Sequence, residues 1–196
     1  MKRFALPMIA LIAAALPAQE NVWNTAESPL KNPSFEITAA DRPGEPESWT
    51  VFTESGEVGL SRLRTETAQH GQQSVCLAFD SKRDKYFGIA QEIDLAAGQK
   101  WKLSAFVRNA GLQGTSHLKL GMEWKDVENR ELLRSLSTKI DRSNTSDKEW
   151  TKFEVTGTAP AGTTRATVTV TVYVADSEQG SVLIDTVWLE QVQERP

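Results

Sequence analysis

The chain has 196 residues, of which 39% are hydrophobic and 24% charged, and its formal net charge at pH 7 is −4. This length and composition are typical of one globular domain that buries a core of its own. The acidic balance argues against a nucleic-acid partner, which calls for clustered Lys and Arg. The single cysteine, Cys76, excludes a disulfide framework, and two histidines leave little for histidine-based catalysis.

Residues 1–18 predict a secretory signal peptide. Lys2 and Arg3 precede an apolar run, and cleavage is expected after Ala18. The alternative is a retained anchor, but the run is shorter than the ~20 residues of a membrane-spanning helix. We therefore expect a secreted or periplasmic protein that is not inserted in a membrane after signal removal. The rest divides into a leader at 19–29, one domain at 30–192 and a tail at 193–196.

Alternation of apolar and polar residues with a period of two predicts β-strands through most of the domain. In the clearest segment, 165–175, Ala166 and four valines alternate with threonines and Tyr173. The same alternation marks residues 75–79, 89–95, 101–108 and 118–124. Turn residues separate these segments. The predicted fold is all-β, a two-sheet antiparallel β-sandwich.

One segment, residues 126–140, allows two interpretations. Its apolar residues have helix-like spacing: Leu132, Leu133, Leu136 and Ile140. The other interpretation is a turn at Asp126–Arg130, in which Asn129 adopts a left-handed conformation, followed by a further strand. Thr138 favours a strand, and we predict the turn and strand.

A set of short motifs follows along the chain in a characteristic order. The motifs are Asn32–Glu36, Pro46–Trp49, Gly71–Val75, Gly88–Ile93, Ala97–Ala105, Trp150–Phe153, Ala159–Gly162 and Ile184–Leu189. In this order and spacing, the chain resembles the jelly-roll carbohydrate-binding module superfamily, especially the cellulose-, xylan- and laminarin-binding modules attached to glycoside hydrolases. The resemblance runs from about residue 30 to residue 191. It implies that the sandwich is a jelly roll of the galactose-binding-like kind. It also implies a secreted, non-catalytic module whose partner is a polysaccharide or oligosaccharide, bound on a sheet face or loop edge.

The resemblance also implies a structural calcium ion as cofactor. Its ligands would be Glu36, which ends the Asn-x-x-Phe-Glu motif, and Asp185 of the late Ile-Asp-x-Val motif. Backbone carbonyls near Ser34 and in the loop around His70–Gln73 would complete the shell. Calcium takes six to eight oxygen ligands, and carboxylates with loop carbonyls suit it.

Aromatic residues that are out of phase with the apolar face of their strand are the candidate ligand-binding residues. Phe106 and Tyr173 fall on faces that are otherwise polar, and Arg108 points outward by the same alternation. Tyr86 occupies a region that carries a ligand aromatic in some members of the family. We predict one shallow polar surface that carries Phe106, Arg108 and Tyr173, with Tyr86 at its rim.

Two other classes of function remain open. The first is a jelly-roll interaction domain that binds a protein or a cell-surface component. The second is a small polysaccharide hydrolase or lyase, since the fold alone does not exclude catalysis. Hydrolysis of glycosidic bonds uses paired carboxylates. Glu92 and Asp94 are outward neighbours, but that spacing is typical of a solvated face, and we predict no catalytic residues and no enzymatic activity.

Overall fold

The computed structural model describes residues 28–54, 61–64, 67–80, 85–175 and 179–193. The predicted signal peptide, most of the predicted leader and residues 194–196 lie outside the described residues. All the described strands fall between residues 30 and 192, the predicted domain. The boundaries of that domain stay a prediction.

The described residues form ten β-strands and no helix. The strands are β1 (Thr50–Thr53), β2 (Ser61–Arg64), β3 (Ser74–Asp80), β4 (Tyr86–Asp94), β5 (Lys100–Asn109), β6 (His117–Lys125), β7 (Glu131–Leu136), β8 (Thr151–Thr158), β9 (Arg165–Tyr173) and β10 (Gln179–Gln191). The predicted all-β class is therefore confirmed.

The strands form two five-stranded sheets. The first sheet has the order β1-β4-β9-β6-β7, and the second has the order β2-β3-β10-β5-β8. Every neighbouring pair is antiparallel, which confirms the predicted sandwich. Within the described part of the chain, no helix has the length and apolar character that a membrane crossing requires.

The core lies between the sheets and consists of the residues that alternate inward. In β9, Ala166 and the valines at 168, 170 and 172 are fully buried. Trp101 and Trp124, which are in phase with the apolar residues of β5 and β6, also belong to this core. Burial of each large aliphatic side chain contributes about 1.5–3 kcal/mol. This gain fixes which face of each strand points inward.

Residues 126–136 form the turn and strand that the sequence favoured, and the helical interpretation is wrong. Asn129 has a φ of 64°. The carboxylate of Asp126 accepts hydrogen bonds from the N–H groups of Glu128 and Arg130, each 2.9 Å long. The chain then turns back along β6 as β7, at the edge of the first sheet.

Candidate functional site

The strand register brings four rows of outward side chains together on the outer face of the first sheet. Directly opposed residues of antiparallel strands point to the same side of a sheet. From the register, the rows are Tyr86–Tyr173–His117, then Phe52–Gly88–Thr171–Lys119, then Ala90–Thr169–Gly121–Leu136, and finally Glu92–Thr167–Glu123–Arg134. The middle of the face thus carries small residues and threonines, and larger side chains surround it.

This outer face is a cleft with a volume of about 560 Å³. Its lining residues are Phe52, Tyr86, Ala90, Glu123, Arg134, Thr167, Thr169, Thr171 and Tyr173. Although they point away from the core, Thr169 and Thr171 are only 5% and 9% exposed, because the surrounding side chains stand above them. We call this site the threonine cleft.

One end of the threonine cleft is aromatic. The ring of Tyr173 stacks on the ring of His117, with centroids 5.1 Å apart and planes 16° from parallel. Tyr86, directly opposite Tyr173 on β4, is 42% exposed. Phe52 lies over Gly88, where an added Cβ would approach the Phe52 ring to 2.9 Å. Tyr86 and Phe52 thus offer accessible ring surface beside a fixed tyrosine.

The opposite end of the cleft is charged and internally paired. Arg134 lies 3.0 Å from the carboxylate of Glu123 and 2.5 Å from that of Glu131. Arg165 bonds Glu92 at 3.0 Å. Such partly exposed pairs contribute about 0–1 kcal/mol each to stability. Their main effect is to hold hydrogen-bonding groups at fixed positions along the cleft.

The cleft therefore combines ring faces, hydroxyl groups and oriented charged groups in one concave surface. Aromatic rings pack against apolar C–H groups. Threonine hydroxyls and the carboxylate and guanidinium groups form hydrogen bonds with hydroxyl groups. A ligand that presents both C–H faces and many hydroxyls matches this arrangement.

The prediction of a single surface with Phe106, Arg108, Tyr173 and Tyr86 is wrong. Tyr86 and Tyr173 do lie together, because β4 and β9 are neighbours in the first sheet. Phe106 and Arg108 belong to β5 in the second sheet, so they lie on the opposite outer face of the sandwich. The guanidinium of Arg108 lies 5.7 Å from the ring centre of Trp150. Alternation predicts which residues point outward, but it does not assign strands to sheets.

Three residues at or beside the cleft were not predicted from the sequence as binding residues. Phe52 comes from the short strand β1, which carries little periodicity. Arg134 lies in the segment that was ambiguous between helix and strand. His117 was considered for catalysis only. Their grouping depends on strand register, which the sequence alone does not display.

The two carboxylates predicted to bind calcium contact the same turn, residues 69–73, through its N–H groups. Glu36 accepts hydrogen bonds from the N–H groups of Gln72 and Gln73 at 2.9–3.0 Å. Asp185 accepts from those of Gln69 at 2.7 Å and His70 at 3.1 Å. In the described residues, no three or more His, Cys, Asp or Glu side chains are placed to hold a metal ion.

The two carboxylates and the turn form a hydrogen-bonded clasp, because the carboxylate oxygens accept hydrogen bonds from backbone N–H groups. A calcium ion at this place would have to displace or share these contacts. The calcium ion stays a prediction.

The pKa of Asp185 in the clasp is strongly shifted. The residue is 0% exposed. Burial raises the pKa of Asp185 from 3.8 to about 6, although the hydrogen bonds from His70, Gln69 and Thr186 act to lower it. Desolvation disfavours the charged form, and here it outweighs the N–H donors that favour that form.

The fold of this chain is similar to that of β-sandwich carbohydrate-binding modules. The CBM22-1 xylan-binding domain of Paenibacillus barcinonensis Xyn10C is similar over 83% of this chain and 93% of that one, with a TM-score of 0.57 and 15% identity. TmCBM61, solved in complex with β-1,4-galactotriose, is similar over 85% of this chain and 99% of that one, with a TM-score of 0.55 and 20% identity.

The same architecture occurs in proteins whose names are those of enzymes. The enzymatically active domain of bacteriophage CBA120 tailspike protein 4 has a TM-score of 0.64 and 16% identity over 84% of this chain. This chain spans only 21% of that domain. A cyclase from Fischerella sp. TAU is also similar, with 98% of its chain covered. No family model matches the sequence, and no curated protein matches it. At these identities the likeness shows the fold.

Proposed function

We propose that this protein is a secreted, non-catalytic carbohydrate-binding module that holds a poly- or oligosaccharide in the threonine cleft. The observation that carries the proposal is the cleft itself, with Phe52, Tyr86 and Tyr173 beside a floor of threonine hydroxyls. Structural neighbours named for binding xylan and for a complex with galactotriose support the carbohydrate class. Export rests on the predicted signal peptide at residues 1–18.

The aromatic end supplies affinity and the remaining lining supplies orientation. A pyranose ring placed against Tyr86 and Phe52 buries its C–H groups, and the burial of apolar surface is favourable. Its hydroxyls then face Thr169, Thr171 and the Glu123–Arg134 pair. Each hydrogen bond formed contributes about 0.5–1.5 kcal/mol net. Sugars that lack the matching hydroxyls leave these groups unpaired, which gives selectivity.

The non-catalytic part of the proposal rests on how the carboxylates near the cleft are held. Glu123 is bonded to Arg134 and Glu92 to Arg165, so both are engaged within the protein. Glu92 is also 3.9 Å from Lys125. Reducing-sugar release from xylan, laminarin and soluble cellulose derivatives tests this part. We expect no release over the buffer control, and sustained release would identify a hydrolase.

The binding test begins with a glycan array and affinity gels that carry xylan, laminarin, β-1,4-galactan and cellulose derivatives. For a retained glycan, we expect Tyr86→Ala and Tyr173→Ala each to weaken binding about tenfold or more, since truncation of an aromatic anchor costs about 2 kcal/mol. Isothermal titration gives the affinity, and the thermal midpoint checks the fold.

The matched control is Phe106→Ala on the outer face of the second sheet. It removes the same type of side chain from the opposite side of the sandwich, and we expect it to leave the affinity unchanged. Loss of binding in Phe106→Ala alone would move the site to the second sheet. If the parent protein retains no glycan, the proposed function is contradicted. That result would favour the alternative of a domain that binds a protein or a cell-surface component.

A further inference from the structure

His117 lies in the aromatic row of the threonine cleft, yet the proposed function gives it no role. It begins β6 directly opposite Tyr173, which is in turn opposite Tyr86. The three rings therefore stand side by side on neighbouring strands, which are about 4.8 Å apart. A sugar chain that extends from the cleft over Tyr173 meets His117 next.

The stacked geometry gives His117 a first role, which is to support Tyr173. With planes 16° from parallel and centroids 5.1 Å apart, the imidazole covers one face of the tyrosine ring. Offset stacking of this kind stabilises a ring pair beyond the effect of the buried area. The tyrosine ring is therefore held in place before a ligand arrives, and less conformational entropy is lost on binding.

A single hydrogen bond fixes the proton arrangement of the imidazole. Nδ1 lies 3.2 Å from the carbonyl oxygen of Thr115. A carbonyl oxygen only accepts, so Nδ1 carries a hydrogen and donates it. In the neutral ring, Nε2 is then an acceptor, and it has no hydrogen-bond partner among the described residues.

The surroundings of His117 favour the neutral ring. Burial lowers the pKa of His117 below its usual value, and the positive charges of Lys139 and Lys119 act in the same direction. The carbonyl of Thr115 and the charge of Asp141 oppose this effect. The ring of Tyr173 on β9 faces the imidazole.

We propose that His117 is a further ligand-binding residue of the threonine cleft, which holds Tyr173 in place and accepts a hydrogen bond from a sugar hydroxyl through a neutral Nε2. The inference rests on the proposed function and names how that site responds to pH. A neutral sugar that covers His117 removes water from it without adding a counter-charge. Protonation of the ring therefore opposes binding, and glycan affinity falls in acid.

The test starts with an NMR titration of the full chain, whose only histidines are His70 and His117. The probe is the xylo-, gluco- or galacto-hexasaccharide that the array retains. We expect saturating hexasaccharide to move the titration midpoint of His117 to lower pH and to leave that of His70 unchanged. An unchanged or raised midpoint for His117 would overturn the inference.

Affinities measured above and below the His117 midpoint provide the second arm. We expect the parent protein to bind the hexasaccharide roughly fivefold more weakly on the acid side, because covering a charged ring removes more hydration than covering a neutral one. His117→Phe keeps a stacking ring and removes Nε2. It should show the weaker affinity at both pH values, whereas the control His70→Phe should behave like the parent.

The outcomes separate this inference from the proposed function. If the parent chain binds no glycan, both fail. If it binds with an affinity that His117→Phe leaves unchanged, or with a pH dependence that His117→Phe retains, only the role of His117 is wrong. A change in the Asp185 clasp with pH would appear equally in the parent protein and in His117→Phe, and it cancels in that comparison.

Discussion

Asp185 shows at the scale of one residue how a buried carboxylate is used as an acceptor for a turn. Its Oδ2 accepts two backbone N–H groups of the turn at 69–73, and Oδ1 accepts the N–H of Thr186 at 2.6 Å. These bonds join β10 to the segment before β3. Burial disfavours the charged form of this acceptor, and the pKa of Asp185 is raised as a result.

A pH dependence of stability follows from Asp185. Its pKa is about 6 in the folded state, whereas the ordinary value for an aspartate is 3.8, so the folded protein holds the proton more tightly than the unfolded chain. The stabilisation is fully present below about pH 4 and is lost as pH rises through about 6. The full effect is on the order of 2–3 kcal/mol.

The measurement compares urea unfolding of the parent and of Asp185→Asn between pH 4 and 7, with chelator present. We expect the stability of the parent relative to the variant to decrease as the pH rises across this range. Taking the difference removes the contribution of the other carboxyl groups. Parallel pH profiles for the two proteins would show that Asp185 does not titrate in this window.

At the scale of the element, the position of β7 in the fold explains why its sequence allowed both a helix and a strand. It is an edge strand paired only with β6 among the described strands. Leu132, Leu133 and Leu136 are all between 39% and 49% exposed, so its two faces do not differ in burial. Alternation arises only where one face is buried and the other is not. The strand therefore lacks the pattern that identified β9.

The close packing of β4 against β9 depends on a residue without a side chain. A Cβ added to Gly88 would collide with the carbonyl oxygen of Val170 and approach the Phe52 ring to 2.9 Å. The obstacle on the β9 side is backbone, so relief requires the two strands to shift. The absence of a side chain at Gly88 thus allows β4 and β9 to approach closely beneath the threonine cleft.

We expect Gly88→Ala to lower the free energy of unfolding by about 1–3 kcal/mol, the usual cost of overpacking. Ala90→Ser is the control, because it also adds one heavy atom at the next outward position of β4, where the side chain lines the open cleft. Chemical denaturation measures both. A Gly88→Ala protein as stable as the control would contradict the close approach of the two strands.

At the scale of the whole molecule, the clasp formed by Glu36 and Asp185 joins distant parts of the chain. Glu36 lies near the start of the described residues and Asp185 in the last strand, and both bind the turn at 69–73. Loop-closing contacts of this kind restrain chain ends that otherwise fray. The predicted calcium ion would act at the same place.

The calcium prediction is tested by thermal unfolding of chelator-treated protein with and without added Ca²⁺. An ion that binds only the folded state stabilises it by about 2.7 kcal/mol at one hundred times its dissociation constant. We expect a higher midpoint for the parent and no change for Glu36→Gln. A parent midpoint that Ca²⁺ leaves unchanged means that hydrogen bonds alone hold the clasp.

The sequence by itself determined the strands that have one buried face, and which residues of those strands point inward. Alternating burial is a local property, since a strand with one dry face must place an apolar residue at every second position. The inward residues of β9, β5 and β6 could therefore be predicted, as could the turn at Asn129. The outward orientation of Tyr173 and Phe106 followed from the same local pattern.

The tertiary structure decided which outward residues share a surface. β5 and β9 have similar patterns, yet one belongs to the second sheet and the other to the first. Their placement depends on long-range pairing between strands. The alternation within a single strand holds no information about which strand it pairs with. That pairing separated Phe106 from Tyr173, brought Phe52 and Arg134 into the cleft, and stacked His117 on Tyr173.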